Sequence, residues 1–178
     1  MIRLLDLIFS SLGIIFLFPL LLLIWLLNKI INKSSLFSQT RVGRNQRRFN
    51  LIKFRTMPIG TKSKGTHLIK NIELNTFSIL LRKTKLDEIP QLWNVFIGDM
   101  SLVGPRPCLI NQKKLIVERR KRAVFKVKPG ITGLAQISGI NMQTPILLAK
   151  TDSKMIKKLN TYYYFYYILQ TLLLILKK

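Results

Sequence analysis

Acidic residues are the scarcest class in this chain. Seven Asp and Glu stand against thirty Lys and Arg in 178 residues, giving a formal net charge of +23. There is one cysteine, Cys108, and one histidine, His67. A single cysteine excludes a disulfide framework and a cysteine metal cluster, and it fits the cytosolic side of a membrane. His67 lies in a Gly/Thr/Lys-rich loop, Pro58 to Asn75. With nothing nearby to complete a metal site, it reads as an exposed loop residue. No internal repeat is visible.

The sequence is rich in positive charge and in apolar residues. The charge implies a polyanionic partner: nucleic acid, an anionic membrane or a phosphorylated substrate. Yet 48% of residues are hydrophobic, which a disordered basic tail would not show. Charge spread through apolar sequence favours a membrane over nucleic acid.

Leu7 to Leu27 is an apolar run of twenty-one residues, interrupted only by Ser10, Ser11, Gly13 and Pro19. Its length suits a bilayer span of about 20 residues, and it is too long for a signal peptide. Pro19 removes a helical hydrogen bond in mid-segment and should kink the helix. Positive charge flanks both ends, with Arg3 before and Lys29, Lys33 and Arg41 after, so both flanks favour the cytoplasm. A re-entrant helix bent at Pro19 satisfies both features. Its halves, about 12 residues or roughly 18 Å each, are too short for roughly 30 Å of hydrocarbon. A plain spanning anchor is the alternative. At the other end, six aromatics from Tyr162 to Tyr167 precede a Leu/Ile-rich stretch and Lys177-Lys178. Tyr prefers the headgroup level, and the apolar stretch is short for a span, so a helix lying in the interface is expected. A buried core helix is the other reading.

The middle of the chain reads as mixed α and β. Arg41 to Arg55 predicts a hairpin turning near Asn45, with six basic residues and no acid. Leu80 to Ile97 predicts a helical entry and a helix starting near Asp87, because Pro90 fits only in a first turn. Met100 to Pro107 predicts a short strand and a rigid loop. Leu109 to Lys128 predicts a basic helix, and Pro129-Gly130 a turn before a strand through Ile137.

Two of the seven acids, Asp87 and Glu88, are adjacent, among Arg82, Lys83, Lys85 and other polar residues. Carboxylates near cations stay ionised, which suits a nucleophile or a Mg²⁺ ligand better than a general acid. The surrounding cations would attract an anionic substrate. A helix N-terminus is also where carboxylates cap, and on residue pattern alone capping comes first. Arg82 and Arg106 lie outside that account. Arginine is suited to bidentate contact with phosphate.

Thr40 to Met57, Leu81 to Pro107 and Lys128 to Gly139 carry long specific blocks, among them Lys-Phe-Arg-Thr-Met, Asp-Glu-Ile-Pro-Gln-Leu-Trp-Asn-Val and Lys-Pro-Gly-Ile-Thr-Gly. On these blocks the chain, across residues 1–140, resembles the bacterial sugar transferase family of monotopic phosphoglycosyltransferases. The resemblance implies an α+β fold: a small mixed α/β cytosolic domain on an N-terminal re-entrant membrane helix, with amphipathic interfacial helices. The expected division is 1–33 for the membrane helix, 34–144 for the catalytic domain and 145–178 for a C-terminal interfacial helix.

The implied reaction moves a phosphosugar from a UDP-sugar to undecaprenyl phosphate and releases UMP, priming surface polysaccharide or glycoconjugate synthesis. By resemblance, Asp87 is the nucleophile and Mg²⁺ ligand, and Glu88 is its partner. Lys53, Arg82 and Arg106 match positions around substrate phosphates. Arg3 and Asp6 match the head motif of the anchor, and Pro19 its break. The expected partners are the UDP-sugar, undecaprenyl phosphate, anionic membrane lipids and a second copy in a homodimer, with no nucleic acid. The expected location is the cytoplasmic face of a bacterial inner membrane. The basic helix at 109–128 should press on the anionic leaflet. Departures from the family pattern are Ile2, Phe18 before the proline, and Ile140 where Arg is common; Asp152 is a retained acid. The competing reading is a non-catalytic basic membrane-binding relative.

Overall fold

A computed structural model describes residues 1–61 and 74–177. His67 and the surrounding Thr66-His67-Leu68 stretch lie outside the described residues. The chain opens with helix α1 (Ile2–Ile31), 30 residues that continue helically through Pro19. A helix of that length measures about 45 Å. Much of its surface is apolar and exposed, including Phe16 at 77% and Phe18 at 59%. Three of its few polar residues, Asp6, Ser10 and Asn28, are buried against the rest of the protein.

Strands β1 (Leu36–Val42) and β2 (Arg48–Phe54) form the expected hairpin. The register runs from Leu36 opposite Phe54 to Val42 opposite Arg48. The turn falls at Asn45, which adopts the left-handed conformation (φ 53°) that Asn tolerates. Strand β4 (Cys108–Leu109) pairs on the other side of β1, giving the antiparallel order β2-β1-β4. Strands β3 (Ser101–Val103) and β5 (Gly130–Thr132) form a separate parallel pair. The two-sheet, multi-helix arrangement is α+β. At Gly130 the backbones touch: a Cβ there would lie 2.0 Å from the amide nitrogen of Gly104, so only glycine fits.

Several element boundaries differ from the sequence expectation. Helix α2 (Thr76–Lys83) ends before the carboxylate pair. A 3₁₀ turn at Leu86–Glu88 carries Asp87 and Glu88, and helix α3 (Gln91–Ile97) begins only after Pro90. Lys85 in the left-handed region (φ 63°) separates the two helices. Asp87 therefore does not cap α3, whose N-terminus has no side-chain cap. The expected helix from 109 to 128 shrinks to α4 (Lys113–Lys121), because left-handed Ala123 (φ 56°) ends it and a 3₁₀ turn at Val124–Lys126 follows. The strand expected through Ile137 stops at Thr132 and gives way to the short helix α5 (Leu134–Ile137).

Residues 145–178 hold two helices, α6 (Pro145–Lys158) and α7 (Thr161–Leu176). Helix α6 buries Leu148 and Ala149 in a cluster with Val42, Cys108 and Leu115. Ile140, where an arginine is common by resemblance, is half-buried and packs against that cluster. In α7, Tyr164 and Tyr167 are buried against Val103 and Met155, whereas Tyr162 and Phe165 are exposed. The aromatic run therefore divides between core and surface, as its helical spacing requires.

Both ends of α1 dock on the same body. Near its start, Arg3 donates to the carbonyls of Val95 and Phe96 at 2.6 and 2.7 Å, capping the C-terminus of α3. The buried Asp6 carboxylate accepts from Ser101 Oγ, the Leu102 amide and the Tyr164 hydroxyl, each at 2.9 Å. Near its end, Asn28 donates to the carbonyls of Ser35 and Arg55, and Ser35 donates to that of Trp25. The intervening turns pack Leu20, Leu21 and Ile24 against Phe54, Leu81 and Leu86. Leu86 immediately precedes Asp87, so α1 packs against the turn that carries the carboxylate pair.

Candidate active site

Asp87 sits in the 3₁₀ turn between α2 and α3 and is 5% exposed. Its Oδ1 has no hydrogen-bond partner among the described residues. Such a group normally costs stability when buried, so it marks a position kept for something other than folding. Burial, then the neighbouring Glu88, push the Asp87 carboxyl above the ordinary aspartate range, against the opposing pull of Lys53, Lys85 and Arg82. The sequence expectation that nearby cations would dominate is thus reversed for Asp87, because desolvation outweighs them.

Glu88 behaves in the opposite way. Arg106 Nη2 lies 2.8 Å from Glu88 Oε1 and donates to it. Burial opposes ionisation here too, but Arg106, Lys85 and Lys53 together hold Glu88 below the usual glutamate range. Adjacent carboxylates are thereby driven apart, one held by the Arg106 guanidinium and one left open. This separation of neighbouring titratable groups is a mark of acid–base or nucleophilic sites.

The cations come from separate elements. Lys53 arrives on β2, and burial lowers its ammonium pKa while Asp87 and Glu88 raise it. Its position is fixed by Asn94 of α3, which accepts from the Ile52 amide at 3.0 Å and donates to the Asn50 carbonyl at 2.8 Å. Lys53 also lies over the Phe37 ring, 5.6 Å from its centroid. Arg82 is half-buried in the last turn of α2, close enough to act on Asp87. Arg106 is exposed beyond its contact with Glu88.

Two further arginines belong to the assembly. Arg41 of β1 donates to the Pro107 carbonyl at 3.1 Å and to Gln39, and its buried Nε has no partner. Burial and the field of Arg106 lower its pKa to about 10. The hairpin register supplies the missed signal: residues 37, 39 and 41 share one face, and Phe37 lies opposite Lys53. Arg119 of α4 is 2% exposed and pairs with the fully buried Asp152 of α6, Nη2 to Oδ2 at 2.8 Å. It also donates from Nη1 to the Arg106 carbonyl at 2.8 Å. The expectation that the whole basic helix faces the membrane is overturned at this residue.

The segment Gly104-Pro105-Arg106-Pro107 is therefore held from both sides. Arg119 takes the carbonyl of residue 106 and Arg41 takes that of residue 107, and two prolines restrict the backbone between. The structure thus brings together Asp87, Glu88, Lys53, Arg82 and Arg106. Arg3 and Asp6 serve the docking of α1 and stand apart from this cluster; Pro19 lies within the helix.

No cluster of three or more metal-binding side chains occurs among the described residues. A divalent ion could still be held by the open Oδ1 of Asp87, with substrate phosphates and water completing its shell, as is usual for Mg²⁺. Glu88 is already engaged by Arg106. The site consequently suits an anionic substrate that brings its own metal ligands.

The chain is similar to several known proteins over most of its length. A Bacillus subtilis (strain 168) protein described as uncharacterized sugar transferase EpsL is 49% identical over 105 residues, covering 59% of this chain and 52% of its own length. The UDP-glucose:undecaprenyl-phosphate glucose-1-phosphate transferase of Klebsiella pneumoniae is 40% identical over 150 residues, covering 82% of this chain and 32% of the relative. The exopolysaccharide production protein ExoY of Rhizobium meliloti (strain 1021) is 34% identical over 160 residues, covering 76% and 68%. The chain spans about half the length of the first of these and about a third of the second. The family described as bacterial sugar transferase matches residues 1–178 in full, and the chain belongs to it.

Proposed function

We propose that this protein transfers a sugar 1-phosphate from a UDP-sugar to undecaprenyl phosphate, at the cytoplasmic face of a bacterial inner membrane. The observation that carries this reading is the open, buried Oδ1 of Asp87 beside a Glu88 fixed by Arg106. Relatives named as undecaprenyl-phosphate glucose-1-phosphate transferases support the acceptor.

In the first step, the Asp87 carboxylate oxygen attacks the β-phosphorus of the donor. The bond from that phosphorus to the bridging oxygen breaks, and UMP leaves with the electron pair. The aspartyl phosphosugar is then attacked by an oxygen of the lipid phosphate. The new phosphoanhydride forms as the bond to Asp87 breaks, restoring the carboxylate. Dividing one transfer into two follows the logic of carboxylate nucleophiles. Lys53, Arg82 and Arg106 supply the fixed positive charge that phosphoryl transfer chiefly needs. Glu88, kept ionised by Arg106, orients the incoming lipid phosphate or accepts its proton. Mg²⁺, when bound at Asp87 and the diphosphate, would neutralise charge on the departing UMP.

The membrane placement is supported by α1. Its exposed surface is apolar, while both its ends dock on one domain through Arg3, Asp6 and Asn28. A span would carry one end across about 30 Å of hydrocarbon, away from that domain, so a re-entrant insertion is the reading these contacts support. It would set Asp87 at headgroup depth, where the lipid phosphate lies. The test is UMP release from a panel of UDP-sugars by the reconstituted protein. Release is expected only with both undecaprenyl phosphate and Mg²⁺ present under multiple turnover. Absence of turnover with every donor would support the non-catalytic reading.

A further inference from the structure

The opposite end of α3 from Asp87 holds a second cationic cavity, lined by none of Asp87, Glu88, Lys53, Arg82 and Arg106. It encloses about 490 Å³ between the β1–β2 turn, the C-terminus of α3 and Lys128. Arg44, Arg47, Arg48 and Lys128 line it, with Phe49 as an apolar wall and Asp99 as its acid. Among the described residues, none of these four cations forms an ion pair. Arg3 adds a fifth charge: a Cβ built on Gly98 would lie 3.3 Å from both Arg3 Nη2 and Lys128 Nζ. Gly98 at φ 98° permits that approach without a side chain. Burial and repulsion from Arg3 lower the Lys128 pKa, as expected where positive charge is incompletely balanced.

The turn that supplies three of these arginines is braced from within. The amide of Gly43 donates to the Arg47 carbonyl at 2.8 Å, and Arg120 donates twice to Gln46 Oε1, at 3.0 and 2.6 Å. The guanidinium groups are thus presented by a fixed backbone. The rim is apolar: Phe96 and Ile97, which precede Gly98, are exposed, and Arg3 begins the apolar helix α1. Fixed cations beside an apolar rim match an amphiphile with an anionic head better than a freely soluble anion.

We propose that this cavity is a headgroup site for the phosphate of an anionic phospholipid, separate from the transfer site. The lipid would pin the β-hairpin and the start of α1 to the membrane while the acceptor occupies the Asp87 end. The proposal rests on the membrane reading above.

It is tested with the full chain in phosphatidylcholine nanodiscs containing a minor fraction of phosphatidylglycerol with a photoreactive headgroup. Cross-links are expected at residues 44–49 and around Lys128, and unlabelled phosphatidylglycerol should suppress them where UMP or inorganic phosphate does not. The triple variant Arg44→Gln, Arg47→Gln, Arg48→Gln should lose about tenfold or more of the adduct, given about 1 kcal/mol per near-surface charge. The charge-matched variant Lys154→Gln, Lys157→Gln, Lys158→Gln, on exposed positions of α6, should lose little. Unchanged unfolding midpoints will show that both variants fold. Adducts spread evenly over the basic surface, equal losses in the two variants, or competition by UMP would each overturn the proposal. Failure of the chain to enter nanodiscs at all would remove the membrane reading and this proposal with it. Entry without cross-links at the turn would remove this proposal alone.

Discussion

Arg119 Nη1 donates to the backbone carbonyl of Arg106 at 2.8 Å, so a fully buried side chain on α4 sets the position of an exposed arginine in the site. The same guanidinium pairs with Asp152 of α6. Removing one partner of such a pair leaves an uncompensated buried charge, which costs about 3–5 kcal/mol.

Asp152→Ala should therefore unfold well below the parent protein. The double variant Arg119→Met, Asp152→Leu removes both charges and should recover most of that stability. It should not recover activity, because the Arg106 carbonyl loses its donor and the Arg106–Glu88 contact loosens. Thermal unfolding and turnover measured on the same samples separate the two effects. Full activity in a stable double variant would show that Arg119 serves folding alone.

The pH profile should report on Asp87. Transfer needs its carboxylate ionised, and burial with Glu88 raises its pKa. The acid limb of kcat/KM should then begin at higher pH than an ordinary aspartate would give. Lys53 holds that pKa down, so Lys53→Gln should move the limb further up. Glu88 holds it up, so Glu88→Gln should move it down in whatever activity remains. Limbs that move in the opposite directions would contradict the assigned electrostatics.

Topology can be read with one cysteine at a time, since the native Cys108 is buried. Leu4→Cys and Ile31→Cys place exposed thiols at the two ends of α1. In intact cells neither should react with a reagent confined to the periplasm. Labelling at one end only would establish a span.

Much of the site was legible because its residues lie in long specific blocks and its hairpin has a local signal. Asn45 marks the turn through its tolerance of positive φ, and a fixed turn fixes every cross-strand pair. The pairing of Arg106 with Glu88 also fits the expectation that a basic group stands beside the carboxylates. The boundaries of α3 and α4 were less legible. Lys85 and Ala123 adopt left-handed conformations without glycine, so no local residue preference announces those breaks. The Arg119–Asp152 pair was hidden for another reason. In a chain this basic, one arginine on a basic helix carries no mark of burial until α6 packs over it. The raised pKa of Asp87 is likewise a property of packing, since burial is its largest cause and the adjacent Glu88 the next.

The central claim is that Asp87 carries the phosphosugar. Mass spectrometry of the intact protein and its peptides, after incubation with a UDP-sugar and Mg²⁺ without lipid acceptor, tests it directly. The expected result is a hexose- or amino-sugar-phosphate adduct on Asp87. It should be absent in Asp87→Asn and discharged by adding undecaprenyl phosphate. Sustained lipid-linked product formation by Asp87→Asn, or an adduct on any other residue, would contradict the account.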